Sequence, residues 1–160
     1  MAAGSPVAIL LGRMSMIRTM TREDYEGAYN LWMHTPGMGL NTMDDSKEGI
    51  ARFLARNPAT CFVATKDGDI VGTILTGHDG RRGYIYHLAV ALSCRKQGIA
   101  TALVERAIHA LKEEGILKVV LVVFAKNEGG NAFWEKIGFS RREDLTYRDK
   151  SLAELERIDT

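Results

Sequence analysis

The stretch HLAVALSCRKQGIATAL, residues 87–103, decides how the chain is read. Tyr84, Ile85 and Tyr86 lead into it and, with Leu88, Ala89 and Val90, give the β-branched and aromatic content of a strand. From Ile99 onward the apolar residues recur at helical spacing. Between the two lies a short polar loop, Ser93 to Gly98. A strand, a basic loop closed by glycine and a helix start together make an anion site, because the first amides of a helix have no partner inside it and point outward. A phosphate-bearing ligand is expected there.

Downstream, Ile99, Leu103, Ala107, Ala110 and Leu111 form one stripe of a helix that Gly115 ends. Val119 to Phe124 is an unbroken apolar run, which predicts a strand covered on both faces and placed centrally beside Tyr84 to Val90. The two strands and their helix make a parallel crossover. Asn127 is placed to cap a helix running to Ile137, with Gly138 as its stop. Strands at Phe139 to Arg141 and Leu145 to Arg148 and a terminal helix at Ser151 to Ile158 complete the reading.

Upstream, Cys61 to Thr65, Ile70 to Thr76 and Tyr84 to Val90 are separated by the turn signals Lys66-Asp67-Gly68-Asp69 and His78 to Gly83. That pattern predicts an antiparallel meander. Before it come a strand at Ile17 to Met20 and a helix capped by Thr21 that carries Tyr25, Ala28, Tyr29 and Trp32. A second helix after Asp45 or Ser46 turns Ile50, Phe53 and Leu54 inward. The loop between these helices is rich in Met, His and Gly and offers Trp32, His34 and Met38 as a substrate wall; Met residues packed on the core are the plain alternative. Residues 1–15 read as a loosely ordered extension and 16–160 as a single domain.

Composition narrows the function classes. Hydrophobic residues make up 46% and charged residues 26%, as in ordinary soluble globular proteins. Twenty-one basic against twenty acidic residues disfavour a nucleic-acid surface. Val7 to Leu11 is too short to span a membrane and poorly built as a secretory signal. Cys61 and Cys94 are too few and too separated for a disulfide framework or a metal site, which fits free thiols in a reducing cytoplasm. No metal, nucleic acid or membrane partner is expected.

Arg95-Lys96-Gln97-Gly98-Ile99-Ala100, directly after a strand, resembles the acyl-CoA signature of the Gcn5-related N-acetyltransferase (GNAT) superfamily. Asn127 followed by Phe133, Trp134 and Gly138-Phe139 is similar to that family's second motif, in the family's order. Two motifs at the right separation carry far more than one glycine-containing loop. The resemblance implies an α/β (α+β) fold with a central mixed, mostly antiparallel twisted sheet of about six to seven strands flanked by helices. It also implies one parallel strand-helix-strand crossover and a splayed pair of central strands.

For function, the resemblance implies transfer of an acetyl group from acetyl-CoA, as cosubstrate, to a primary amine of a small molecule, peptide or protein. Backbone N–H groups of Arg95, Lys96, Gln97, Gly98, Ile99 and Ala100 would cradle the pyrophosphate, with Thr101 adding a hydroxyl. Leu88, Ala89 and Val90 would pair with the pantetheine arm, and an amide there would polarise the acyl carbonyl. Asn127, Phe133 and Trp134 would complete the cofactor side. Trp134 stands where many members have a tyrosine suited to protonating the thiolate, and indole has no acidic proton for that task. A non-catalytic acyl-CoA-binding or sensing domain, or an interaction module retaining the fold, is therefore the alternative. A homodimer through late strands or sheet edges is compatible with the resemblance.

The amine must lose a proton, and Tyr84 and Tyr86, alternating on one face of their strand, are the catalytic candidates through a bound water, with ordinary aromatic core residues of the strand as the plain alternative. His87 is expected on the opposite face as a core histidine, His34 as a substrate-loop residue or plain surface histidine, and Tyr147 near the thioester. Cys94 has no evident base partner and reads as a bystander thiol. Asp44-Asp45 and Arg81-Arg82 read as solvated turns.

Overall fold

The meander between Thr60 and Val90 is the spine of the molecule. The computed structural model describes residues 9–11 and 15–160. In chain order its elements are β1 (Ile9–Leu11), β2 (Ser15–Thr19), α1 (Tyr25–Met33), β3 (Leu40–Asn41), α2 (Lys47–Arg56) and β4 (Phe62–Lys66). Then follow β5 (Asp69–His78), β6 (Gly83–Val90), α3 (Ile99–Glu113), β7 (Val119–Val120), α4 (Glu128–Lys136) and β8 (Arg157–Ile158). Short 3₁₀ turns at Arg22–Asp24 and Leu92–Cys94 precede α1 and the anion loop.

Six strands form one sheet in the order β1-β2-β4-β5-β6-β7, while β3 and β8 pair separately. Within the large sheet every pairing is antiparallel except β6 with β7, joined through α3 as the parallel crossover. That is the mixed, mostly antiparallel α/β architecture expected. The sheet separates two cores. On one face Ile17, Phe62, Ile74 and Ile85 meet α3 through Ile99, Leu103, Val104 and Ala107. On the other, Val63, Leu75 and Ala89 meet α1 and α2 through Trp32, Leu31, Ile50 and Leu54. Each such apolar side chain contributes about 1.5–3 kcal/mol when fully buried. Gly72 lets α3 settle directly on β5, since a Cβ there would lie 3.0 Å from Leu103 Cδ1 and 3.2 Å from both Ala64 and Ile99.

Several elements differ from the sequence reading. Only Val119–Val120 of the apolar run to Phe124 pairs, opposite Gly83 and Tyr84, and β7 is an edge strand, not a central one. Val122 and Phe124 are exposed. The ladder ends after Tyr84, and β6 is bulged against β5 a few residues on. No strand forms at Phe139 to Arg141 or Leu145 to Arg148, where the charged residues Arg141 to Asp144 satisfy each other in local ion pairs. The expected terminal helix is absent from Ser151 to Ile158, and Arg157–Ile158 instead pairs with Leu40–Asn41. Of the expected N-terminal extension, residues 1–8 and 12–14 lie outside the described residues, whereas Ile9–Leu11 pair with Ile17, Met16 and Ser15. Among the described residues no helix is long and apolar enough to cross a membrane.

Candidate functional site

The loop from Arg95 to Gly98 joins the Leu92–Cys94 turn to the start of α3. After the Leu92–Cys94 turn, Arg95 donates its backbone N–H to the Leu92 carbonyl at 3.5 Å and its Nε to the Val90 carbonyl at 3.4 Å. Lys96 and Gly98 both take left-handed conformations, with φ of 61° and 81°. A left-handed residue is cheap only for glycine, and the space around the Gly98 Cα is open. The first α3 bond runs from Ala102 N–H to the Gly98 carbonyl. Hence the N–H groups of Lys96, Gln97, Gly98, Ile99, Ala100 and Thr101 have no acceptor among the described residues. All six follow one another into the first turn of a fifteen-residue helix, where its dipole favours an anion. The side chains divide by role: Ile99 is buried in the core, while Arg95, Lys96 and Gln97 are exposed.

Beside this loop, β6 pairs with β5 through Ala89 and Val90 but meets β7 only at Gly83 and Tyr84. From Ile85 to Val90 its other edge is free of a strand partner. Farther along the chain, Asn127 caps α4 by accepting the Gly130 N–H at 2.9 Å. Phe133 and Trp134 form an edge-on aromatic group with Phe139, with ring centroids 5.1 and 4.9 Å apart, half-buried against the α3 core. Trp134 is thus a packing residue on the α3 side of the sheet.

On the opposite face a cavity of about 650 Å³ lies between α2 and the β5–β6 hairpin. Tyr84 and Tyr86 line it with rings stacked at 4.5 Å, as their alternation implied. Burial raises both phenols above their ordinary range, with neighbouring tyrosines adding to the effect, and Tyr84 reaches about 12. Both stay protonated near neutral pH.

His87 is placed differently from the sequence reading. Thr73 pairs with Ala89 and Leu75 with Tyr86, so His87 and Leu88 together oppose the single residue Ile74. This bulge, with His87 at a φ of 48°, turns the imidazole to the α1–α2 face beside Tyr86 instead of the opposite face. There Nε2 lies 2.5 Å from Asp45 Oδ1, with the two side chains only 11% and 5% exposed. Asp45 Oδ2 accepts the Asn41 N–H at 2.8 Å, and Tyr25 donates its hydroxyl to the Asp45 carbonyl. The ring packs edge-on to Trp32, whose indole N–H reaches Thr73 Oγ1 at 2.9 Å while Thr73 donates to the His87 carbonyl. The pair lines the cavity. Alternation alone hides it; the adjacent Asp44-Asp45 before a helix cap was the available signal.

The expected substrate wall is not assembled as read. Trp32 is fully buried and supports His87 from beneath, so it cannot touch a ligand. His34 is exposed, its Nδ1 facing the Asn30 carbonyl, and Met38 packs against the α1–α2 core. The Pro36 to Gly39 loop is held instead by residues near Thr160: Gly37 donates to the Thr160 carbonyl and Thr160 donates to the Thr35 carbonyl. Tyr147 is exposed, and Cys61 and Cys94 are buried free thiols, Cys61 pushed up to about 12 by burial. Among the described residues no three His, Cys, Asp or Glu side chains are grouped to hold a metal ion.

This fold has clear counterparts. The model of the acetyltransferase (GNAT) family matches residues 19–139, and the chain belongs to that family. It is 36% identical over 126 residues to an acetyltransferase of Photorhabdus laumondii, covering 79% of this chain and 87% of that one. Among solved structures it resembles a predicted acetyltransferase with acetyl-CoA from Clostridium acetobutylicum, with TM-score 0.67 and 21% identity over 85% and 96% of the two chains. It also resembles the ribosomal-protein-S18-alanine N-acetyltransferase of Escherichia coli, with TM-score 0.65 and 23% identity over 78% and 77%.

Proposed function

We propose that this protein moves an acetyl group from acetyl-CoA to a primary amine by direct attack of the amine on the thioester, working in the cytoplasm. The observation that carries this reading is the row of unpartnered N–H groups from Lys96 to Thr101 beside the free edge of β6. Those residues fit a pyrophosphate: consecutive amides converge at a helix start, Gly98 leaves the approach open, and Arg95 and Lys96 add positive potential. Acetyl-CoA would supply the activated acyl group. Leu88, Ala89 and Val90 offer backbone groups to an extended pantetheine arm, and an N–H on that edge can stabilise charge developing on the acyl oxygen. Phe133 and Trp134 form an apolar border, and Asn127 fixes the start of the helix that carries them.

Proton removal falls to the cavity side. Tyr84 and Tyr86, as neutral phenols, hold and orient water, and His87, its ring fixed by Asp45, is the acceptor at the end of that path. The orienting carboxylate leaves one ring nitrogen engaged and directs the ring toward the cavity wall.

The alternative, a non-catalytic acyl-CoA-binding domain, rests on Trp134 standing where a proton-donating tyrosine would serve. The two are separated by free-thiol release from acetyl-CoA over a panel of primary amines. Turnover supports transfer; CoA binding without turnover on any amine supports the alternative. Replacing Gly98 by Val should abolish thermal stabilisation by CoA, because a Cβ with a branched side chain is both strained at that φ and set in the approach.

A further inference from the structure

The cavity between α2 and the β5–β6 hairpin has two chemically different ends. Asp45, directly before the Ser46 cap of α2, contacts His87, so the start of the helix lies at the imidazole end. Past the other end of the helix, the Asn57 amide lies 2.8 Å from where a Cβ on Gly77 would be, and Gly77 pairs with Tyr84 beside the β5–β6 turn. The helix therefore runs along the cavity from His87 toward that turn. Arg52 and Arg56, one turn apart on α2, and Arg82 from the hairpin turn line this second region. From Asp45 to Arg52 and Arg56 the rise of 1.5 Å per residue gives about 10 and 16 Å along the helix. From His87 back to Arg82 along β6 the span is about 16 Å.

The charges at the two ends are not equivalent. The cavity's three carboxylates are all engaged: Asp45 by His87 and the Asn41 N–H, Asp44 by the Asn41 side chain, and Asp79 by the Arg81 and Arg82 N–H groups of its own turn. Among the described residues Arg52 and Arg56 have neither a hydrogen-bond acceptor nor an ion-pair partner, while Arg82 donates to the Arg81 carbonyl and lends its charge to the Asp79 carboxylate of the same turn. Like charges one helical turn apart repel, and neither of these two has a carboxylate within ion-pair distance among the described residues. Guanidinium groups are matched in shape and charge to planar or tetrahedral oxyanions.

We infer that the acceptor amine carries an oxyanion, carboxylate or phosphate, at the end of the molecule away from its reactive nitrogen, and that Arg52, Arg56 and Arg82 hold it while the nitrogen faces His87. The inference rests on the reading of this cavity as the acceptor side of an acetyltransferase. It separates the substrate class from simple alkylamines, which leave the arginines unmatched, and from polyamines, whose second cation they repel.

The test uses the full chain with acetyl-CoA and four amines of one length: 6-aminohexanoate, 6-aminohexyl phosphate, hexylamine and 1,6-diaminohexane. One or both anionic amines should show kcat/KM at least about tenfold above hexylamine and the diamine, and the better of the two identifies the oxyanion. Arg52→Ala with Arg56→Ala, at exposed helix positions, should erase that preference without changing KM for acetyl-CoA, as should Arg82→Ala. Equal turnover of the four, preference for the diamine, or a preference that survives these substitutions would overturn the inference. A binding measurement keeps the result distinct from failure of acetyl transfer itself. Calorimetric titration with 6-acetamidohexanoate, 6-acetamidohexyl phosphate and N-hexylacetamide requires no turnover. At least one anionic amide should bind about tenfold more tightly than the neutral one, and this difference should vanish in the double arginine variant. Equal binding of all three overturns the anion site, whereas selective anion binding without turnover counts against acetyl transfer alone.

Discussion

At the scale of single residues, the proposed proton path depends on one inserted residue. Two side chains of β6 oppose Ile74, and the left-handed backbone at His87 brings its ring to Asp45. Replacing His87 by Gln should lower kcat about 100-fold or more, the usual contribution of a positioned base, with KM for acetyl-CoA unchanged. Steady-state kinetics checks this split. The phenols act differently: because Tyr84 and Tyr86 are raised by burial, ionisation of Tyr84 begins to matter only as pH climbs toward about 12. Tyr84→Phe should therefore reduce kcat while leaving the shape of the pH–rate profile between about pH 6 and 10 as in the unmodified protein. A side-chain period of two cannot reveal such an insertion, which is why the sequence reading turned His87 to the wrong face. Trp32 was legible as apolar and helical, but its complete burial depends on Thr73 supplying a partner for the indole N–H from another strand.

At the scale of elements, the meander, α3 and the parallel crossover could be read because each buries one regular face. Leu103, at the centre of the α3 stripe and fully buried, is the most exacting check of that packing. Leu103→Ala should cost about 2–5 kcal/mol in urea denaturation. Ser46 accepts the Gly49 N–H at the start of α2, so Ser46→Ala should cost about 1 kcal/mol. Its neighbour Asp45 would lose definition, lowering kcat as well. The elements that escaped the sequence reading lie beyond Val120. An apolar run announces burial on both faces, yet here the run past Val120 follows the opening between β6 and its neighbour. Farther on, Arg141 pairs with Glu143 and Arg142 with Asp144, local contacts that compete with a strand ladder and leave no apolar face to bury.

At the scale of the molecule, the proposed function divides two tasks between the faces of the sheet. The α3 side carries the amides that suit a pyrophosphate, the α1–α2 side carries the cavity that suits an amine, and the two meet where β6 leaves β7. The donor half was legible because a loop with its helix start is local in sequence. The proposed acceptor half was not, because Asn41 comes from β3, Asp45 from the turn before α2, Arg52 from α2, and Tyr86 and His87 from β6. The most direct measurement of acetyl transfer is simultaneous quantification of free CoA thiol and N-acetylated product by mass spectrometry, with a panel of primary amines and acetyl-CoA. Equal amounts of thiol and acetamide are expected from the unmodified protein, with both falling at least about 100-fold in His87→Gln. Saturable CoA binding with thiol release no faster than in protein-free buffer, for every amine tried, would contradict it.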